Sequence, residues 1–437
     1  MNYTKPFLLL GFLAFMQVTN AQDTLSLSKT DLWQKASAKN LQLKIATQEF
    51  KAAQADYRQS NVLFLPSISA SHTAITTTNP LMAFGSKLNQ EILTAADFNP
   101  ALLNDPEQTQ NYATKIEVVQ PIINVDGIYG RQAAKAKMEA YYLQTERTKE
   151  YLQLELNKAF MQLQLAYKAV AVLEKANTTS EATLRYVENN SKQGYLQKTD
   201  VLTVQVRVNE VKNQLQYAKS NVQNASDYLA FLLQEDMNGK VYLPAENLED
   251  AIRPNASVFT VPESRKDLQA MQKSSEAYRK MMQSGKMNFL PRLNAFGAYE
   301  LYDTTIFGTA ANGYTLGAQL SWTLFDGYKS VGKFQKAKAD FQKAELDLQQ
   351  YKAQSQLELN KTGRQLRDAE NKVNLSKLAF EQSQEAYRIR KNRFTQGLEK
   401  TTDVLQSETQ MAQKELEYLQ AVFEYNFTQQ YQQFLTQ

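Results

Sequence analysis

The stretch QGYLQKTDVL at residues 193–202 decides the fold, because it returns as QGLEKTTDVL at residues 396–405. A second run, LELNK, occurs at residues 154–158 and again at residues 357–361. The same offset of 203 residues separates both pairs, so they belong to one long duplication. Internal repeats of this kind are structural units that need a neighbouring copy to complete a shared surface.

The repeated stretch interrupts a long helical pattern in each half. Apolar residues step by four and three along a proline-free segment, at Leu152, Leu156, Ala159, Leu163, Ala166, Val170 and Leu173. The second half has the equivalent seam at Leu359, Thr362, Leu366, Ala369, Val373, Ser376 and Phe380. This spacing predicts coiled-coil helices, each about 100 Å long at about 1.5 Å per residue. We expect long helices at about 126–192 and 327–395, and returning helices at about 200–234 and 402–434.

Each predicted helical hairpin turns next to a glycine. Gly194 and Gly397 are expected to end the long helices, because glycine readily adopts the positive φ of a helix C-cap. Short polar side chains that suit an N-cap then stand before the returning helices. The candidates are Thr199 or Asp200 in the first half and Thr402 or Asp403 in the second.

Two extended segments precede each long helix, and the clearest is GYTLGAQLSWTLF at residues 313–325. Its strict alternation of apolar and polar side chains predicts a β-strand. The other strands are predicted at about 64–78, 112–124 and 289–303. Two-faced strands of this length suit a transmembrane β-barrel, although a soluble sheet packed on a core alternates in the same way. Four strands cannot close a barrel, so the barrel interpretation predicts an obligate oligomer.

Composition sets further limits. Lys5 followed by the apolar stretch Phe7–Met16 predicts a signal peptide over residues 1–21. The chain has no cysteine, which excludes disulfides and thiolate metal sites. Mean hydropathy is −0.51, yet 23 Tyr and 21 Phe fit a barrel, whose strands have weak hydropathy signals. The formal net charge of +4 argues against a nucleic-acid partner.

No residue pattern indicates catalysis. His72 is the one histidine and cannot form a metal cluster; on a predicted strand it is expected near the lipid interface or a loop. We therefore expect no enzyme activity, no metal and no cofactor.

Together these features resemble the TolC-like outer-membrane efflux protein family (outer membrane factors) over essentially the whole mature chain. The resemblance rests on motifs that occur in one order: TLSLSKTDLWQKASAKNLQL from Thr24, FLP ending at Pro66 and Pro291, QPIIN, WTLFDG and the two tip motifs. It implies a homotrimer with a twelve-strand outer-membrane β-barrel and a twelve-helix periplasmic α-barrel. It also implies that the helix tips dock onto a periplasmic adaptor protein and, through it, an inner-membrane pump.

The expected fold is therefore mainly α with a transmembrane β-barrel. A first repeat at 22–235 and a second at 264–437 are joined by a linker at 236–263. The expected function is a passive exit duct of a tripartite efflux or type I secretion system in the outer membrane of a Gram-negative bacterium. The alternative is a periplasmic coiled-coil scaffold or adaptor protein without a membrane barrel.

Asp200 and Asp403 are the candidates for a periplasmic gate. A trimer would bring six such carboxylates to the narrow end of the tunnel, where converging like charges favour cations. Helix capping is the alternative role for both. Exposed apolar side chains at a hairpin tip need a partner, so the candidates for adaptor docking are Gly194, Tyr195, Leu196, Gly397 and Leu398.

The two strand connections differ in length. The first, at residues 78–111, is longer than its counterpart in the second half and is expected to face the outside of the cell. Its prolines limit flexibility. Its apolar side chains suggest a lid that controls exit, although the segment could simply pack over the barrel mouth. The candidates are Leu81, Met82, Phe84 and Leu93.

Overall fold

The computed structural model describes residues 24–237, 239–251 and 260–437. The predicted signal peptide lies outside the described residues. Within those ranges the helices are α1 (Lys29–Lys39), α2 (Leu41–Gln59), α3 (Pro80–Asn89), α4 (Pro100–Asn104), α5 (Val125–Lys192), α6 (Lys198–Leu233), α7 (Lys266–Met287), α8 (Lys329–Thr395) and α9 (Thr401–Thr436). The strands there are β1 (Thr24–Leu27), β2 (Ser67–Thr77), β3 (Thr109–Ile123), β4 (Val241–Pro244), β5 (Arg292–Asp303) and β6 (Ala311–Ser321).

The internal repeat is visible in the order of these elements. A short helix, two strands, a long helix and a returning helix follow one another as α2, β2, β3, α5 and α6, and again as α7, β5, β6, α8 and α9. The heptad seam is the buried face of both long helices. Leu152, Leu156 and Leu359 are almost completely buried, and full burial of one leucine stabilises a fold by roughly 1.5–3 kcal/mol.

The compact units of the chain do not coincide with the repeats. Unit 1 contains the described residues of Met1–Asn40, Gln153–Ala256 and Arg364–Tyr431. Unit 2 contains Leu41–Leu152, the described residues of Ser257–Gly363, and Gln432–Gln437. Each unit therefore draws on both halves of the sequence, because the apolar face of one repeat is covered by the other.

Unit 2 contains an antiparallel sheet in the order β2-β3-β5-β6. Lys115 of β3 lies opposite Ser71 of β2 and Glu300 of β5, and Glu300 lies opposite Gly313 of β6. Within the described ranges, β2 and β6 are the edge strands and each has one neighbour. Their outer N–H and C=O groups have no ladder partner in this sheet.

The last predicted strand is too long. β6 ends at Ser321, which pairs with Arg292, the first residue of β5. Trp322 and the residues up to Phe325 therefore have no opposing backbone and leave the sheet. The Trp322 indole N–H instead donates to the carbonyl of Phe289 at 3.0 Å.

Unit 1 contains a second, smaller sheet that the sequence analysis missed. β1 pairs in parallel with β4, with Thr24 opposite Val241. β4 lies inside the segment predicted as a linker at residues 236–263, and its Tyr242 is fully buried. Around this sheet α5, α6, α8 and α9 share apolar clusters, including one formed by Met161, Leu366, Val422 and Tyr425.

Equivalent carbonyls near the ends of the two returning helices are bound by equivalent residues. In unit 1 the buried Asn40 side chain donates from Nδ2 to the Leu232 carbonyl at 3.0 Å. In unit 2 Arg265 donates from Nη1 to the Leu435 carbonyl at 3.3 Å. Asn40 and Arg265 each stand directly before a short helix. The last four carbonyls of a helix have no partner within it. Each repeat supplies a hydrogen-bond donor for one of these carbonyls, and the donor comes from the same position in both repeats.

Arg265 is the more deeply buried of the two donors, at 2% exposed. It also donates from Nε to Asp267 Oδ1 at 2.7 Å and from Nη2 to Ser355 Oγ at 2.6 Å. The Tyr351 hydroxyl donates to Asp267 Oδ2 at 2.6 Å, and Arg147 Nε lies 3.5 Å from the same oxygen. Burial alone would raise the pKa of Asp267, but these donors hold it below its ordinary value of 3.8.

Replacing Asp267 by Asn should therefore lower the melting temperature at pH 7, because it leaves the buried Arg265 guanidinium without its carboxylate, whereas Arg147 keeps its ion pair with Glu150. Loss of one partner of a buried pair costs about 3–5 kcal/mol. A depressed carboxyl pKa contributes stability above the unfolded-state pKa, and that contribution is lost as pH falls through the folded-state pKa. The difference between D267N and wild type should thus shrink between pH 5 and pH 2 in far-UV circular-dichroism melts.

The matched control is Glu263→Gln, which removes an exposed carboxylate that binds Lys352 at 2.8 Å. Exposed ion pairs contribute about 0–1 kcal/mol, so this variant should melt close to wild type at every pH. A penalty for D267N that is equally large at pH 2 and pH 7 would contradict the assigned role of its charge.

Candidate functional site

Both hairpin tips close with the same backbone motif. Gly194 has φ +83° and Gly397 has φ +75°. The N–H of Tyr195 donates to the carbonyl of Asn190 at 2.9 Å, and the N–H of Leu398 makes the equivalent bond. A left-handed glycine followed by such a bond across six residues is the Schellman C-cap. The prediction that these glycines end the long helices through positive φ is confirmed.

The predicted N-cap of the first returning helix is wrong. α6 begins at Lys198 with Gln197 as its N-cap, so Thr199 and Asp200 lie inside the first turn. Asp200 Oδ2 accepts a hydrogen bond from the Gln197 N–H at 3.1 Å. Asp200 thus acts as the third residue of a capping box, in which a side chain of the first turn reaches back to the N-cap backbone.

Asp403 occupies the same place in the second tip. α9 begins at Thr401, so Thr402 and Asp403 are also inside the helix and the prediction of an N-cap there is wrong. The Asp403 N–H donates to the Lys400 carbonyl at 3.2 Å. A carboxylate in the first turn of a helix interacts favourably with the helix dipole.

The two tips hold their loops by different chemistry. Glu399 binds Arg390 at 3.1 Å and Arg393 at 3.0 Å. The equivalent position in the first tip is Leu196, which is half-buried and packs against the cluster around Val187 and Val204. The second tip is therefore closed by ion pairs and the first by apolar contact.

The most exposed apolar side chain at each tip directly follows the glycine. Tyr195 is 77% exposed and Leu398 is 63% exposed. Among the docking candidates these two present free apolar surface, whereas Leu196 is partly occupied by its own hairpin. Gly194 and Gly397 have open space around them.

A buried ion pair joins the two returning helices near the tips, and the sequence analysis missed it. Arg207 of α6 donates from Nε to Glu408 Oε2 of α9 at 3.1 Å, and both residues are buried. Burial raises the pKa of Glu408 despite the adjacent guanidinium. The repeat gives no signal here, because the equivalent positions are Gln205 and Gln410.

The four-stranded sheet of unit 2 has one charged and one apolar face. Lys115 Nζ lies 3.3 Å from Glu117 and 3.6 Å from Glu300, all on one face. The opposite face is apolar and open, with Tyr314 77% and Leu316 75% exposed. In a soluble sheet the apolar face packs on a core, so this exposure is the reverse of what the soluble alternative requires.

Large apolar side chains also surround the strand ends next to the long helices. Phe64, Trp322, Phe325 and Tyr328 are all exposed there. Aromatic girdles at the edges of an apolar band are typical of barrels that face lipid. The composition is rich in aromatic residues, but the position of this group was not predicted from the sequence.

The first strand connection is a folded element and not an open loop. It contains α3 and α4. Of the lid candidates, Leu81 and Met82 are exposed, whereas Phe84 and Leu93 are half-buried. Phe84 packs edge-on against Phe98 with 5.6 Å between ring centroids.

An ion pair braces the same connection. Lys87 Nζ binds Asp97 Oδ1 at 2.8 Å, and Asp97 Oδ2 accepts from the backbone N–H and the hydroxyl of Thr94. These bonds, led by that from Lys87, lower the pKa of Asp97 to about 2. The carboxylate is therefore charged throughout the ordinary pH range.

His72 lies on the apolar face, close to the strand connections. Its Nδ1 lies 2.8 Å from Thr114 Oγ1, and its ring centroid lies 4.3 Å from that of Phe307. Within residues 24–237, 239–251 and 260–437, no group of three His, Asp or Glu residues could hold a metal ion. Over the same ranges, no helix combines the length and the apolar character needed to cross a membrane.

Two strand pairs, each followed by a long helical hairpin, define the fold class of the outer-membrane channel proteins. The family profile described as outer membrane efflux protein matches residues 32–234 and 261–435. The chain belongs to the outer membrane efflux protein family. None of the curated proteins compared with it is similar in sequence.

Solved structures show the same fold. CusC, whose crystal structures concern folding and transmembrane channel formation, has a TM-score of 0.79 and 14% identity, covering 100% of this chain and 99% of CusC. The outer membrane channel CmeC of Campylobacter jejuni has a TM-score of 0.77 and 14% identity, covering 98% and 92%. The outer membrane protein VceC of Vibrio cholerae has a TM-score of 0.75 and 15% identity, covering 92% and 94%.

Substitution of Gly194 or Gly397 by Ala should destabilise the tips by about 1–2 kcal/mol each, the usual cost of a left-handed conformation for a residue with a Cβ. No atom lies within 4 Å of the new methyl group at either position, so the cost comes from the backbone alone. Hydrogen exchange of the tip amides should report it as faster local opening.

Gly332→Ala is the control, because this helical glycine of α8 also has open space around it. Without a positive φ, alanine should stabilise that helix by roughly 0.5–1 kcal/mol. Unchanged exchange at the tips of G194A and G397A would refute the strain argument.

Proposed function

We propose that this chain forms the outer-membrane channel of a tripartite efflux or type I secretion system and acts as a passive exit duct. The observation that carries the proposal is the four-stranded sheet whose apolar face is exposed and whose edges are unpaired. Lipid would cover that face at no desolvation cost. The polar face, with Lys115, Glu117 and Glu300, would then line an aqueous passage.

The proposed assembly is a homotrimer. Unpaired backbone groups cannot remain in a bilayer, so β6 of one copy would pair with β2 of the next. Three copies of a four-stranded sheet give a barrel of twelve strands, the number that the family resemblance implies. Exposed apolar residues on α6 and α8 would be covered in the same assembly, among them Leu202, Val206, Tyr217, Leu346, Leu357 and Leu375.

The helical hairpins would extend into the periplasm of a Gram-negative bacterium as a twelve-helix tunnel. Their tips would dock onto an adaptor protein and, through it, an inner-membrane pump. Tyr195 and Leu398 supply the apolar surface for this contact. Gly194, Leu196 and Gly397 would hold each tip in the conformation that leaves Tyr195 or Leu398 exposed.

The channel and the scaffold alternative differ in where the protein resides and in what it conducts. Expressed in a Gram-negative host, the channel should fractionate with the outer membrane, require detergent for extraction, and have the native mass of three chains. It should then conduct ions in a planar bilayer. A protein released with the soluble periplasmic fraction that conducts nothing would support the scaffold or adaptor and overturn the channel.

Asp200 and Asp403 are proposed as the periplasmic gate. The double variant D200N/D403N keeps an oxygen acceptor for the helix starts and removes six negative charges from a trimer. We expect its cation-over-anion permeability ratio, measured from reversal potentials in a salt gradient, to fall clearly below that of wild type.

The control for this measurement is Glu345→Gln, which removes an exposed charge of α8 far along the sequence from either tip. It should leave the permeability ratio unchanged. An unchanged ratio in D200N/D403N would mean that the two aspartates serve only to cap helices.

A further inference from the structure

The helix α3 lies on the charged face of the sheet, at the end where the strand connections are. Thr109 and Asn111 of β3 and Ala311 of β6 are buried there. Side chains two residues apart on a strand share a face, so Thr109 and Asn111 share the face of Lys115 and Glu117. Ala311 joins them, because it pairs with Tyr302, two residues along β5 from Glu300. The apolar face, by contrast, keeps Tyr314 and Leu316 exposed, although Phe307 of the β5–β6 connection lies against His72 there.

One side chain fixes α3 in this position. Gln90, directly after the helix, is 2% exposed. Its Nε2 lies 2.8 Å from both the Gln110 carbonyl and Asn111 Oδ1, and 3.2 Å from the Asp303 carbonyl. A single amide therefore has acceptors on β3 and at the end of β5. A buried donor that loses its acceptors is left unsatisfied away from water, so these Gln90 hydrogen bonds act as a clamp that resists release of α3.

The rest of the connection is braced around the clamp. Asn79 Oδ1 accepts from the Met82 N–H at 3.2 Å and caps the start of α3. The Lys87–Asp97 ion pair and the Phe84–Phe98 contact tie α3 to the segment that follows it. The counterpart connection between β5 and β6 has only residues 304–310 and no helix, so this device belongs to the first repeat alone.

Resting on the proposed channel function, we propose that α3 is a fixed constriction at the outer end of the duct and that Gln90 is its positioning residue. Each copy of the chain would place one such helix across the polar face of its own four strands. The size of cargo that leaves the duct is then set at this end by a clamped helix, independently of the gate at the helix tips.

The test is single-channel conductance in planar bilayers for wild type, Gln90→Leu and Gln90→Glu. Leucine removes the hydrogen bonds at similar volume, and glutamate places a carboxylate against three acceptors. Both should release α3 and raise conductance about twofold or more with larger current noise, because pore diameter sets conduction. Gln108→Leu is the matched control: Gln108 lies in the same connection, is exposed, and donates to Thr76 Oγ1 at 2.9 Å. It should conduct like wild type.

A second measurement does not depend on conductance. The chain has no cysteine, so Ser71→Cys introduces a single thiol on the polar face, opposite Lys115. With α3 clamped, a small maleimide added from the connection side should react at least tenfold faster than a polymer-linked maleimide. In S71C/Q90L the two rates should converge.

The outcomes distinguish failure of the proposed constriction from failure of the proposed channel function. Suppose that the wild-type protein conducts and that the Gln90 variants have the same conductance, the same labelling rates and the same native mass. This result would overturn the constriction and leave the channel function intact. A wild-type protein that conducts nothing would overturn both.

Discussion

The unpaired backbone along β2 and β6 is the constraint on which the rest of the structure depends. Hydrogen-bonding groups at a sheet edge need partners, and a bilayer offers none. One repeat supplies two strands of this sheet and the described part of the chain supplies four, which still leaves two edges. In the proposed channel, duplication and self-association are two stages of one solution to this problem. The exposed apolar faces of α6 and α8 follow the same logic in the helical part.

The duplication preserves geometry more strictly than chemistry. The carbonyls of Leu232 and Leu435 are both bound from the residue that precedes a short helix, but one donor is a neutral amide and the other a guanidinium. The tips show the same contrast. Glu399 forms ion pairs in the second tip, and Leu196 makes apolar contacts at the equivalent position of the first tip. In both places the charged version lies in the second repeat. Ion pairs between exposed groups are weakened by salt, so the Glu399 pairs with Arg390 and Arg393 make the second tip the salt-sensitive one of the two.

The sequence predicted the periodic parts of this fold and missed what depends on distant partners. The heptad seams and the tip glycines are local patterns, so the long helical hairpins could be predicted from the sequence alone. β6 was predicted too long because its end is set by where β5 begins. The start of α6 was misplaced because a glutamine serves as its N-cap, and α9 begins at Thr401, before either predicted cap. The helix α3 had a local signal in Asn79 and Pro80, an N-cap followed by proline, that was overlooked. No local pattern could have placed it on the sheet, because Gln90 binds Asp303, 213 residues away.

The interleaving of the two units has a consequence for how the chain reaches its native state. Unit 1 needs residues from Arg364 to Tyr431, and unit 2 needs Gln432–Gln437, so the first repeat alone can complete neither. Synthesis therefore exposes long apolar helix faces until the second repeat emerges. Contacts so far apart in sequence slow folding, and partly folded chains of this kind tend to aggregate. We therefore expect biogenesis to depend on a holding factor that shields the first repeat until its counterpart arrives.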